Sequence, residues 1–168
     1  MFLPNEYMHT HDIDWFCVID NKYCHLASNG SFLPKNFTDE EMLDKVQHEV
    51  ASMPSRCHYK LNTNYIERIL SDNDGRFKHL DVLSEDTLDL LIPMNIDFEE
   101  QDLPIKYKVY CWSFIEMAQK GFYSYDWIGD RYQLIAKPTD YKDSEKPPKF
   151  PADIPILNGK YLFLQNDL

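Results

Sequence analysis

The sequence predicts a single α+β domain with a mixed or antiparallel sheet, and three observations support this prediction. Segments with hairpin spacing occur near the start, in the second half and near the end of the chain, with helical segments between them. The length of 168 residues suits one domain. Aromatic residues make up 14% of the chain, enough ring area for a substantial core. We therefore expect one domain over residues 1–168, with about three hairpins and about four helices.

Residues 12–28 have the pattern of a β-hairpin that turns at an Asp-Asn pair, two residue types that tolerate the left-handed backbone of a tight turn. A two-residue loop would pair Phe16 with His25 and Cys17 with Cys24. Side chains alternate along a strand, so one face is more apolar than the other and should meet the core. That face carries Trp15, Cys17, Ile19, Cys24 and Leu26.

Four segments have helical patterning. The first begins at Thr38, which starts a T-x-x-E capping box, and ends before Pro54. The other three are expected at about residues 62–71, 84–92 and 104–120. The last of them has a secondary apolar stripe on its polar side, formed by Ile105, Val109 and Trp112. Either this helix is covered on two sides or the stripe binds another molecule.

The second half of the chain contains two more hairpin signals. Residues 122–138 are expected to form a hairpin that turns at Gly129 and Asp130. Residues 138–155 hold five of the ten prolines, which predicts an extended, mobile crossing segment. An Asn-Gly pair at 158–159 is the third hairpin signal.

Charge and composition favour some classes of partner over others. The chain has 28 acidic and 17 basic residues, a formal charge of −11, which argues against binding to nucleic acid or to an anionic membrane. We expect a protein partner, and a basic one, because an acidic surface attracts positive charge. The first residues lack a basic and apolar leader pattern, and no apolar run is long enough to span a bilayer, which predicts a cytoplasmic protein with four free cysteines.

The sequence predicts no cofactor. The five glycines are too far apart to form a dinucleotide-binding or phosphate-binding loop. The segment from His48 to Ser52 begins like the zinc-protease motif H-E-x-x-H, but serine replaces the second histidine.

One stretch near the start, "MHTHDIDWF", concentrates residues that are typical of chemical sites. If the first strand begins by His9, then His9 and His11 share one face, and His-x-His on a strand is a metal-ligand spacing. A metal site there would need a third ligand, which the sequence does not indicate. The hairpin register also places Asp14 diagonal to His25, within reach for a carboxylate–imidazole pair. Such a pair could orient the histidine for general base catalysis, or could be a simple surface hydrogen bond.

The most unusual feature of the sequence is a run of acidic residues. Between Asp81 and Asp102 there are eight acidic residues and no lysine or arginine. Such a run is most often a solvated surface, and otherwise a docking face for a basic partner. The docking residues that we predict are Glu85, Asp86, Asp89, Asp97, Phe98, Glu99, Glu100, Asp102 and Trp112. The sequence thus favours a binding protein of the inhibitor, immunity or adaptor type, and the alternative is a hydrolase-type enzyme that uses the N-terminal histidines and aspartates.

Overall fold

The computed structural model describes residues 1–71, 77–100, 102–142, 146–157 and 164–165, and these residues form an α+β fold around one mixed sheet that does not close. This confirms the predicted fold class. The helices are α1 (Asn5–Thr10), α2 (Glu40–Ala51), α3 (Thr63–Ser71), α4 (Lys78–Asp81), α5 (Glu85–Leu90) and α6 (Ile105–Gln119). The strands are β1 (Asp14–Ile19), β2 (Lys22–Ala27), β3 (Cys57–Leu61), β4 (Tyr123–Trp127), β5 (Tyr132–Tyr141) and β6 (Leu164–Gln165).

The sheet has the strand order β1-β2-β4-β5-β3, and β6 also pairs with β5. The pairs β1–β2, β4–β5 and β3–β5 are antiparallel, whereas β2–β4 and β5–β6 are parallel. A parallel pair requires a long crossover connection, because the chain must return to the same end of the sheet. The crossover between β2 and β4 contains β3 and the helices α2 to α6. The two ends of the chain therefore supply most strands of the sheet, and the middle supplies β3 and most of the helices.

The first hairpin has the predicted register. Phe16 lies opposite His25, and Cys17 lies opposite Cys24. The face expected to meet the core is buried against α1 and the segment after β2, and the four cysteines are free and buried. The opposite face is buried too, because α2 and α6 pack on Phe16 and its neighbours. The hairpin therefore lies inside a three-layer arrangement.

The second hairpin also forms, with β4 and β5 joined through Gly129 and Asp130. The start of the proline-rich segment was predicted wrongly, since β5 continues through Pro138 to Tyr141 and pairs with β3, a strand that the patterning did not indicate. Proline is tolerated there because Pro138 lies beyond the β4 pairing, which ends at Ala136, and pairs only with β3 next to an irregularity in the register. The Asn-Gly signal at 158–159 lies outside the described residues. Residues 155–157 pair with β1, where the Val18 N–H donates to the Pro155 carbonyl over 2.8 Å.

Helix α2 begins later than predicted and has a different N-cap. Asp39, rather than Thr38, is the capping residue, and its carboxylate accepts hydrogen bonds from the backbone N–H groups of Glu41 and Met42. The Thr38 hydroxyl instead donates to the Lys35 carbonyl at 2.7 Å, because a short 3-10 turn precedes the helix. Helices α1 and α4 were not predicted, since six and four residues are too short to show a helical period.

Helix α6 forms over nearly the predicted range, and its contacts explain the secondary apolar stripe of Ile105, Val109 and Trp112. Its sheet-facing side is buried, and Ile105 and Val109 pack from the other side against the same core cluster, to which α3 and α5 also contribute. The helix is therefore covered on two sides. Trp112 is half-buried and lines a cavity beside α4.

Candidate functional site

The carboxylate–imidazole pair predicted from the hairpin register is present. The His25 Nε2 and the Asp14 Oδ1 lie 2.8 Å apart. The other ring nitrogen, Nδ1, lies 2.6 Å from the Ser124 hydroxyl on β4. A carboxylate only accepts hydrogen bonds, so Nε2 carries the proton, and in the neutral ring Nδ1 accepts from the serine. Three neighbouring strands thus share one polar chain.

The burial of Ser124, His25 and Asp14 decides which chemistry this hydrogen-bonded series can support. The side chain of His25 is 1% exposed and Ser124 is fully buried, whereas 57% of the Asp14 side chain is exposed. A hydrolase of the serine–histidine type needs the opposite order, with the hydroxyl accessible and the carboxylate buried behind the histidine. His25 also has both nitrogens occupied by protein groups. The geometry therefore supports a positioned carboxylate and not an exposed general base.

Asp14 remains ionised at neutral pH. Burial alone would raise the pKa of its carboxyl, but the hydrogen bond and the charge interaction with His25 outweigh it and hold the pKa below its ordinary value of 3.8. Sequence reasoning found Asp14 and His25 but missed Ser124. No local pattern could have indicated Ser124, because it meets His25 through the parallel pairing of β2 with β4, 99 residues apart in the chain.

The two candidate metal ligands lie outside any strand. His9 lies in α1 and His11 directly follows this helix, so the expectation that they share a strand face is wrong. The His11 ring stacks on Tyr7 with 3.9 Å between ring centroids, and its Nδ1 lies 2.8 Å from the Tyr7 carbonyl. In the described ranges, no group of three or more His, Cys, Asp and Glu side chains is arranged to hold a metal ion.

The acidic run divides into two parts, and the second part is engaged within the fold. Glu99 pairs with His58 at 2.6 Å, and Asp97 lies 3.8 Å from the Lys142 ammonium group. The Tyr59 hydroxyl donates to the Glu100 carboxylate. Burial, followed by this hydrogen bond, raises the pKa of Tyr59, so the donor stays protonated. The contacts of Glu99 and Glu100 fasten the segment before α6 to β3, and the contact of Asp97 reaches the residue that follows β5.

The aromatic residue of the second part is also engaged within the fold. Phe98 packs against the core, and the Lys108 ammonium group lies 5.3 Å from its ring centroid. Asp102 is exposed just before α6. Much of the predicted docking set in this segment thus has intramolecular partners.

The first part of the run is different after Asp81, which pairs with Lys106. The side chains of Glu85, Asp86 and Asp89 on α5 are exposed and form no ion pair with any residue that the structure describes. Large apolar side chains are exposed around them: Val82, Leu90, Leu91 and Met94. Their exposed fractions include 83% for Val82 and 85% for Leu90. We name these seven residues the α5 surface.

Two remaining findings concern partners and relatives. Among the described residues, no helix combines the length and the apolar character needed to cross a bilayer. Comparisons with models of protein families, with curated proteins and with solved structures found no match, and the functional inference therefore rests on the residues of this chain.

Proposed function

We propose that the protein acts by binding another protein through the α5 surface, as an inhibitor, immunity factor or adaptor does. The observation that carries this proposal is the combination, on one short stretch of chain, of exposed apolar side chains with exposed carboxylates that have no ion pair among the described residues. Four large apolar residues are exposed within 13 positions of the chain, whereas single exposed apolar residues are ordinary.

The chemistry of the surface defines the partner. Apolar side chains that lose water on binding supply affinity, and carboxylates around them favour lysine and arginine on the other side. The partner is therefore a protein with a basic surface around an apolar centre. Of the predicted docking residues, Glu85, Asp86 and Asp89 fit this proposal best, since the side chains of Asp97, Glu99 and Glu100 already have partners within the fold.

The test begins with capture of partners from an extract of the source cell, followed by titration of each purified partner with the protein. The variant Glu85→Lys/Asp89→Lys reverses two charges on the α5 surface. Its matched control, Glu41→Lys/Glu67→Lys, makes the same change of net charge on the exposed faces of α2 and α3. We expect the first variant to weaken binding at least about tenfold and the control to change it less than about threefold.

A second variant tests the apolar half of the surface. Leu90→Ser/Met94→Ser should also weaken binding about tenfold, with little change in stability, because both side chains are exposed. The affinity of the unmodified protein should fall as salt is added, because salt screens the carboxylates. The α5 surface is not the binding site if the charge-reversal variant on α5 binds a partner as tightly as its matched control. The same conclusion follows if the double variant Leu90→Ser/Met94→Ser binds as tightly as the unmodified protein.

A further inference from the structure

An open cavity lies between α1, the start of β1, α2 and α6. Side chains from these four elements and from the segment leading into β1 line it, and its volume is about 430 Å³. That volume falls within the range of about 300–1,000 Å³ that is typical of small-ligand sites. The cavity is separate from the α5 surface, with which it shares no residue.

The lining combines two kinds of side chain. Many of its residues are apolar, among them Phe16, Val50 and Met117. Five others are carboxylates, and the lining contains no lysine, arginine or histidine. The carboxylates belong to Asp12, Asp14, Glu40, Asp44 and Glu116. A molecule that fits both kinds has an aliphatic portion and a positive charge.

Two of these carboxylates have a partner within the fold. Glu116 pairs with Lys120 at 3.3 Å, and Asp14 pairs with His25 at 2.8 Å. In the parts of the chain that the structure covers, the other three have no ion pair. A bound cation would supply the positive partner that these three carboxylates lack there.

The buried polar chain holds one of these carboxylates in place. Ser124 and His25 lie inside the sheet, and the imidazole N–H is directed at the Asp14 carboxylate. The Gln47 side chain also donates to the Asp14 carbonyl over 2.7 Å, which joins α2 to β1 across one end of the cavity. Because buried groups already fix the orientation of the Asp14 carboxylate, this side chain loses little conformational entropy when a ligand binds.

We propose that this cavity binds an alkylammonium group, from either a lysine side chain of a peptide or a free aliphatic diamine. The methylene chain would lie against the apolar side chains of the lining, and the ammonium group would lie among the carboxylates of Asp12, Asp14 and Asp44. An ammonium group is a compact charge with three donors, which suits carboxylates that come from different elements. A guanidinium group is most favoured where one carboxylate presents both oxygens to a planar fork.

The test is calorimetric titration of the whole chain with three probes. Cadaverine represents the free diamine, Nα-acetyl-lysine amide represents the peptide side chain, and pentane-1,5-diol has the length of cadaverine without its charge. We expect saturable 1:1 binding of at least one ammonium probe and no binding of the diol. Tighter binding of cadaverine would identify a free diamine as the source, and tighter binding of the lysine derivative would identify a peptide.

Matched variants on α2 locate the site. Glu40→Gln/Asp44→Asn removes two carboxylates from the cavity, and Glu41→Gln/Glu49→Gln removes two from the same helix outside it. We expect the first pair to weaken binding of the ammonium probe about tenfold and the second pair to change it less than about twofold. All four positions are on the surface of α2, so both variants should remain folded.

Three results would each overturn the proposal. One is that neither cadaverine nor Nα-acetyl-lysine amide shows saturable binding at millimolar concentration. Another is equal binding of cadaverine and the diol, which would leave the carboxylates without a role. The third is an equal loss in the two α2 variants, which would show that the overall negative charge attracts the probe and that the cavity does not.

Discussion

The buried hydroxyl of Ser124 makes a measurable contribution to stability that the substitution Ser124→Ala should remove. The hydroxyl lies 2.6 Å from the Nδ1 of His25, in the interior of the sheet. Alanine has nearly the same volume but no donor, so the imidazole nitrogen would remain buried without a hydrogen-bond partner. Leaving a buried acceptor unsatisfied costs the free energy needed to remove it from water.

The expected magnitude follows from that burial. An unsatisfied buried polar group destabilises a protein by about 1–3 kcal/mol. The upper half of this range applies because His25 is 1% exposed and water has no ready access to the nitrogen. The matched control is Ser52→Ala, which removes a surface hydroxyl that donates to the Glu49 carbonyl. Its effect should stay within about 0.5 kcal/mol.

Urea denaturation followed by circular dichroism measures both variants. The transition midpoint of Ser124→Ala should fall while the slope stays unchanged, because the surface exposed on unfolding is the same. A double-mutant cycle with Asp14→Ala tests the connection through the imidazole. Without Asp14 the ring is freer to reorient, so the double variant should lose less stability than the sum of the two single variants by about 0.5 kcal/mol or more.

Two outcomes would refute this reasoning. If Ser124→Ala costs no more than Ser52→Ala, the hydroxyl–imidazole bond does not stabilise the folded state. If the costs of Ser124→Ala and Asp14→Ala simply add, the two residues do not act through His25, and the polar chain consists of two independent contacts.

Two further predictions concern pH and helix capping. The pKa of Asp14 is lower in the folded state than its ordinary value, so the carboxylate contributes stability that is present above the unfolded pKa and is lost as the pH falls through the folded one. Urea unfolding at several pH values should therefore show a steeper loss of stability below about pH 4 in the unmodified protein than in Asp14→Asn, and equal slopes would contradict the pKa shift. At the start of α2, Asp39→Ala should cost about 1 kcal/mol in the same assay, because Asp39 caps the first turn. Asp39→Asn should cost less than Asp39→Ala, since asparagine keeps a capping oxygen, and equal costs would contradict a capping role for Asp39.

The wrong prediction of Thr38 as the N-cap of α2 shows what a local sequence pattern can predict and what it cannot. The T-x-x-E pattern located the start of α2 to within two residues, because hydrogen-bonding side chains and acidic residues cluster at helix starts. Two adjacent residues, Thr38 and Asp39, can both cap, and the 3-10 turn before the helix decides between them. That turn depends on how the segment after β2 packs against the sheet, which the local sequence does not encode.

The sequence by itself determined the features that depend on neighbouring residues. These include the register of the first hairpin, the position of α6 and the Asp14–His25 pair, because turn geometry and side-chain periodicity act over a few residues. Only the tertiary structure decided that Ser124 joins that pair, that Glu99 is engaged by His58, and that the carboxylates of α2 face the same cavity as Asp14. Each of these arrangements brings together residues 26 or more positions apart, through sheet pairing or helix packing. Their pairing depends on the free energy of burying both faces of the sheet at once, which no local pattern expresses.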